Sequence, residues 1–91
     1  MKIVMINAIW CSGCIVMKKV WKKVLENYNL EITYLDYDFD DISTYNVGNI
    51  LPVAIIYKDG IEINRIIGEK TYEEVVRVLE ALKWLKKYYI F

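Results

Sequence analysis

The chain has 91 residues, of which 56% are hydrophobic and 14% aromatic, so it carries enough apolar surface for one small core and is not a disordered segment. Twelve basic residues balance twelve acidic ones, which excludes the strong positive field that gathers nucleic acid or an anionic membrane. There is no histidine, so the usual general base and the commonest metal ligand are missing, and chemistry falls to Cys, carboxylates, Lys, Tyr or backbone dipoles.

Lys2 to Asn7 holds a continuous apolar run, Ile3-Val4-Met5-Ile6. A short unalternating run of this kind predicts a central strand covered on both faces. Asn7-Ala8-Ile9-Trp10 then connects to a helix expected to begin at or just after Cys11. Ile15, Val16, Val20, Trp21, Val24 and Leu25 recur at helical spacing and form its expected buried stripe, with Lys18, Lys19, Lys22 and Lys23 on the solvated face. Trp21 reads as core. Asn27-Tyr28-Asn29 should end the helix, an Asn taking the left-handed stop.

Leu30 to Tyr37 alternates and predicts a second strand. Asp36 to Asp41 is an acidic turn region, Ile42 to Tyr45 one short helical turn, and Gly48-Asn49 a turn. A third strand is expected from Ile50 to Tyr57, with the one proline, Pro52, near its start, where the missing N–H costs nothing. Lys58-Asp59-Gly60 is a hairpin turn. It leads into a fourth strand through Ile61, Ile63, Ile66 and Ile67, antiparallel to the third, and Gly68 ends it. Thr71-Tyr72-Glu73-Glu74 is a capping box, with Thr71 as N-cap and Glu74 three residues on. The last helix buries Tyr72, Val75, Val76, Leu79, Leu82 and Leu85. The first two strands are joined through a helix and should run parallel with a right-handed crossover. The expected architecture is α/β: a four-stranded mixed sheet with a helix on each face.

Both cysteines of the chain fall in Trp10-Cys11-Ser12-Gly13-Cys14, spaced C-x-x-C at the strand-to-helix junction. In this element order, and with a strand-opening proline about 40 residues on, the pair resembles the active-site motif of the thioredoxin family. The resemblance runs along almost the whole chain and implies a single thioredoxin-like domain over residues 1–91. Leu51-Pro52 falls where that family has a hydrophobic residue and a cis-proline facing the disulfide. Tyr45-Asn46-Val47 is similar to the segment leading there, Lys58-Asp59-Gly60 matches the last hairpin turn, and Gly68 matches the glycine after the last strand. Three features depart from the family. The dipeptide between the cysteines is Ser12-Gly13 where Gly-Pro is common. Met5 stands where thioredoxins carry a buried acid. The Gly-Gly and Asp signature with which glutaredoxin relatives hold glutathione is absent.

The implied activity is dithiol–disulfide exchange with protein disulfides. Cys11, at a helix N-terminus, has unpaired N–H groups and the positive dipole end to stabilise a thiolate, and so is the expected nucleophile. Cys14, one turn on and on the same face, is the expected resolving thiol. Leu51 and Pro52 would present the substrate, Trp10 and Gly68 would shape its approach, and Ser12 and Gly13 form the active-site loop. No bound cofactor and no metal are expected; electrons would come from a reductase or another thiol.

Competing readings of the pair are a structural disulfide, worth about 2 kcal/mol for so short a loop, and a metal site, which needs four ligands where two cysteines are available. A non-enzymatic redox-sensing or metal-handling module of the same fold is the main functional alternative. No apolar leader precedes the motif and no run reaches membrane-spanning length, so a cytoplasmic monomer is expected, without nucleic-acid or membrane partners. The tail Tyr88-Tyr89-Ile90-Phe91 either folds back on the body or forms an oligomer contact.

Overall fold

In the computed structural model the backbone is described for residues 1–89 and the side chains for residues 1–82. Leu85 and the tail from Tyr88 to Phe91 lie outside the described side chains. The elements are β1 (Lys2–Asn7), α1 (Ser12–Asn27), β2 (Glu31–Asp36), a single 3-10 turn (Ser43–Tyr45), β3 (Val53–Lys58), β4 (Ile61–Ile67) and α2 (Tyr72–Tyr89). The strands form one mixed sheet in the order β2-β1-β3-β4. β1 and β2 are parallel, with Lys2 opposite Glu31 and Asn7 opposite Asp36. β1 and β3 are antiparallel, with Ile6 opposite Val53. β3 and β4 are antiparallel through a tight turn, with one irregularity beside Ile56 and Tyr57.

The two apolar runs take the two inner places. In β3, Val53, Ala54, Ile55 and Ile56 are all buried, because alternate residues meet cover on opposite faces. The hairpin turn has Asp59 at φ 53° and Gly60 at φ 77°, the paired positive angles of the turn whose twist matches two antiparallel strands.

A helix on each face is not what forms. Met17, Trp21 and Val24 of α1 join Val75, Leu79 and Leu82 of α2 in one buried cluster, over Ile3, Met5, Ala54, Ile56 and Ile66 of the sheet. Both helices therefore lie on the same face. The handedness of the β1-α1-β2 crossover fixes the side taken by α1. Among the described residues no parallel strand follows α2, so no such rule fixes its side. The opposite face carries Ile6, Val53 and Ile55, covered by the segment from Tyr37 to Leu51 through Ile42, Tyr45 and Val47. Arg65 of β4 holds this segment down, donating to the backbone carbonyls of Tyr45 and Asn46 while paired with Glu62.

The stripe of α1 also differs from expectation. Ile15, Val16 and Leu25 are exposed, and the buried residues are Gly13, Cys14, Met17, Trp21 and Val24. The spacing 14, 17, 21, 24 is the true helical stripe, and Cys14 is its first member. No left-handed Asn ends the helix. Tyr28 caps it in extended conformation, its N–H donating to the Val24 carbonyl. Asn27 Nδ2 donates to the Lys23 carbonyl and to Tyr72 Oη, which satisfies the last turn from a side chain. β3 starts at Val53, after Pro52, and β2 is one residue shorter at each end than expected.

The capping box of α2 forms as predicted: the Glu74 N–H donates to Thr71 Oγ1 at 3.1 Å, and the Thr71 N–H donates back to Glu74 Oε1 at 3.3 Å. Removing the hydroxyl orphans one backbone donor. Thr71→Ala is expected to cost about 1 kcal/mol of unfolding free energy, read as a lower urea midpoint at an unchanged slope.

Candidate active site

β1 delivers the chain through Asn7 to a tight connection in which the Cys11 N–H donates to the Ala8 carbonyl at 3.2 Å. Cys11 is left in extended conformation, φ −89° and ψ 108°, as the N-cap of α1. Its Sγ accepts the N–H of Cys14 at 3.1 Å. A sulfur thus occupies the place that a capping oxygen of Ser, Thr or Asp usually takes. The first-turn N–H groups and the positive end of the helix dipole face it, and both favour negative charge on that atom.

Cys11 and Cys14 are free thiols, each 8% exposed. Burial pushes the Cys14 thiol up to about 11, with the hydrogen bond to the Cys11 side chain and the Cys11 charge acting in the same direction. The two sulfurs are thus unequal: Cys11 caps the helix and Cys14 is held protonated. A cavity of about 10 Å³, the size of one water molecule, adjoins Cys14 and is lined by Met5, Asn7, Met17, Lys18, Trp21 and Tyr34. Met5 is 2% exposed and brings no ionisable group to it.

The second half of the site comes from the β3–β4 hairpin. The Leu51-Pro52 bond is cis, and both residues are buried. The Gly68 N–H donates to the Pro52 carbonyl at 2.8 Å, which ties the end of β4 to the start of β3. Gly68 has φ 80°, and a side chain there would meet Ile50 Cγ2 at 3.3 Å; both facts favour glycine. The two halves meet at Gly13, where an added Cβ would lie 3.4 Å from the Leu51 carbonyl oxygen. Leu51 belongs to the same buried cluster as Cys11 and Cys14.

Trp10 is exposed and oriented. Its Nε1 donates to Asp38 Oδ2 at 2.7 Å, and its ring stands edge-on to Tyr37 with centroids 6.0 Å apart. Nothing in the sequence singles out Asp38, because it sits in an acidic turn region that reads as ordinary solvated loop. Ile9, Ile15 and Ile50 are also exposed, so apolar side chains immediately flank the motif and the proline. Ser12 is exposed and Gly13 buried in the first turn. Among the described residues no group of three or more Cys, Asp or Glu side chains could hold a metal ion, and no helix is long and apolar enough to cross a membrane. A concavity of about 620 Å³ between the start of β1 and the β3–β4 turn lies at the other end of the sheet from the cysteines.

A cysteine-capped helix facing a cis X-Pro bond at the end of the two central strands of a four-stranded mixed sheet defines the thioredoxin-like class of thiol proteins. The comparisons with known proteins agree. The thioredoxin family model, described as "Thioredoxin", matches residues 1–81. A thioredoxin of Staphylococcus epidermidis is 28% identical over 83 residues, covering 87% of this chain and 79% of that one. One of Staphylococcus aureus is 27% identical over 77 residues, covering 80% and 73%. Among solved structures, a mutant thioredoxin of Halobacterium salinarum superposes with a TM-score of 0.78 at 20% identity, covering 88% of this chain and 72% of that one. The Schistosoma mansoni thioredoxin pre-protein gives 0.76 at 22%, covering 88% and 76%. These two likenesses speak to the fold. The chain belongs to the thioredoxin family and is a thiol–disulfide oxidoreductase.

Proposed function

We propose that the chain reduces disulfides of other proteins in the cytoplasm, with Cys11 attacking and Cys14 resolving. The observation that carries this reading is the Cys14 N–H donating to Cys11 Sγ at the N-cap of α1, which favours negative charge on one sulfur of the pair. In the first step the Cys11 thiolate attacks a substrate disulfide. A bond forms between Cys11 Sγ and one substrate sulfur, and the other substrate sulfur leaves as a thiolate that takes up a proton. In the second step Cys14 loses its proton and attacks Cys11 Sγ, and the substrate leaves with both its sulfurs reduced. The protein is left with a Cys11–Cys14 disulfide, and a reductase or a second thiol must return two electrons.

Trp10, Leu51, Pro52 and Gly68 are the proposed substrate-binding residues. With the bond before Pro52 cis and Gly68 lacking a side chain, the Leu51 backbone lies beside the cysteines, placed to pair with an extended substrate segment as a short added strand. Ile9, Ile15 and Ile50 give that segment apolar contact. Ser12 and Gly13 keep the first turn of α1 slim enough for the approach. A reducing compartment is where such a pair delivers electrons rather than takes them.

Dithiothreitol reduction of insulin, followed by precipitation of the freed chains, tests the reading. The protein should accelerate it and Cys11→Ser should abolish the acceleration. Cys14→Ser should accumulate a mixed disulfide through Cys11. Trapping through Cys14 in the Cys11→Ser variant instead would reverse the roles, and no acceleration by the unaltered protein would end the proposal.

A further inference from the structure

Gly13 stands between the cysteines where a larger residue is common in the family, and the structure shows what occupies the vacated space. A Cβ on residue 13 would lie 2.9 Å from Glu69 Oε1 and 3.1 Å from Glu69 Cγ, with the Leu51 carbonyl oxygen 3.4 Å from the same point. The Glu69 carboxylate therefore rests against the first turn of α1, in the space that glycine leaves open. One charged and one neutral oxygen acceptor converge there, at the meeting point of the two halves of the site.

Glu69 is exposed and follows Gly68, which is tied to Pro52. Its backbone position is therefore set by the hairpin that presents the substrate groove. The neighbouring Glu74 carboxyl is held below its ordinary value chiefly by its hydrogen bonds with Thr71 and in smaller part by the charges of Lys70 and Arg77. The formal charge of the chain is zero, and the molecule as a whole supplies no bias for or against a charged substrate. A local bias must come from groups at the site.

We infer that Glu69 is a specificity-determining residue that favours disulfide substrates carrying lysine or arginine beside the reactive cysteine. The inference rests on exchange at Cys11 as proposed above. A substrate backbone laid along Leu51 brings the side chain next to its cysteine toward Gly13. An ammonium or guanidinium there meets both the Glu69 carboxylate and the Leu51 carbonyl oxygen, whereas a carboxylate meets like charge. The pair is partly solvated, so the discrimination is modest and salt-sensitive. Gly13 is part of the device, since a side chain at that position would displace the carboxylate.

The test uses two short peptides, identical except for Lys or Glu next to a single cysteine, each disulfide-bonded to thionitrobenzoate. Release of thionitrobenzoate by the pre-reduced protein is measured for each and divided by its rate with neutral 2-mercaptoethanol. The normalised ratio of Lys to Glu peptide is expected to be about threefold at low salt and to shrink as salt is added. It should fall toward one in Glu69→Gln, fall in Gly13→Ala, and invert in Glu69→Lys. A ratio near one in the unaltered protein, a ratio untouched by Glu69→Gln, or one lost instead in Asp38→Asn would overturn the inference. Failure to outpace 2-mercaptoethanol on either peptide would overturn the exchange reading, and this inference with it.

Discussion

The rate at which Cys14 clears a mixed disulfide from Cys11 is expected to climb about tenfold for each unit of pH from about 6 to about 8. Only the thiolate attacks, and Cys14 is held as a thiol. Burial is the largest cause, followed by the hydrogen bond to the Cys11 side chain and then by the Cys11 charge, and together they raise the group from 9.0 to about 11. In the mixed disulfide the Cys11 charge is gone, so its part of the shift lapses. Burial, the largest cause, persists and keeps the thiol raised. The thiolate fraction therefore rises throughout that window with no plateau. The measurement is stopped-flow release of a thiol reporter from the Cys11-linked intermediate, with a Cys14→Ser protein as the zero. A plateau near neutrality would mean that some group draws the proton from Cys14 and that burial does not control the step. Met5 offers no such group, and the water-sized space beside Cys14, which Asn7, Lys18 and Tyr34 also line, marks where a transient acceptor would have to stand.

Trp21→Ala is expected to remove about 3 to 5 kcal/mol of stability, the largest loss from any substitution considered. Trp21 is 3% exposed and sits in the cluster through which both helices pack on the same sheet face. Truncating it removes the indole and leaves a void in the cluster that α1 and α2 share with the sheet. For a chain of this length each kcal/mol moves the melting temperature by about 4 to 8 °C, so thermal unfolding should shift down by at least about 12 °C. A shift of a degree or two would mean that α1 is held mainly by its ends, and that the helix face is not the principal core.

The features most legible in the sequence are those with local causes. Continuous apolar runs mark β1 and β3 as the inner strands, Asp59-Gly60 marks the hairpin, and Thr71 with Glu74 marks the start of α2. The C-x-x-C pair and Pro52 point to where the site lies. What the sequence hides depends on tertiary direction. Ile15 and Val16 fit a helical period as well as Cys14 and Met17 do, and periodicity names a stripe without saying which stripe meets the sheet. Cys14 draws the eye for its chemistry rather than as an apolar residue, although it begins the buried row. The side taken by α2 has no local signal at all. Asp38 and Glu69 are hidden for a similar reason: an exposed acid in a loop carries no mark of its neighbour until the fold brings Trp10 to one and Gly13 to the other.

The register that sets Ile6 opposite Val53 separates what this protein does from what it does it to. The sulfurs ride on β1 and α1, and the backbone proposed to face the substrate rides on the β3–β4 hairpin. Their spacing is held by main-chain hydrogen bonds between β1 and β3 that no exposed side chain enters. Trp10, Ile15, Ile50 and Glu69 are decoration on that frame. An engineer could rewrite all four to suit a different client protein and leave the distance between thiol and incoming bond as it is.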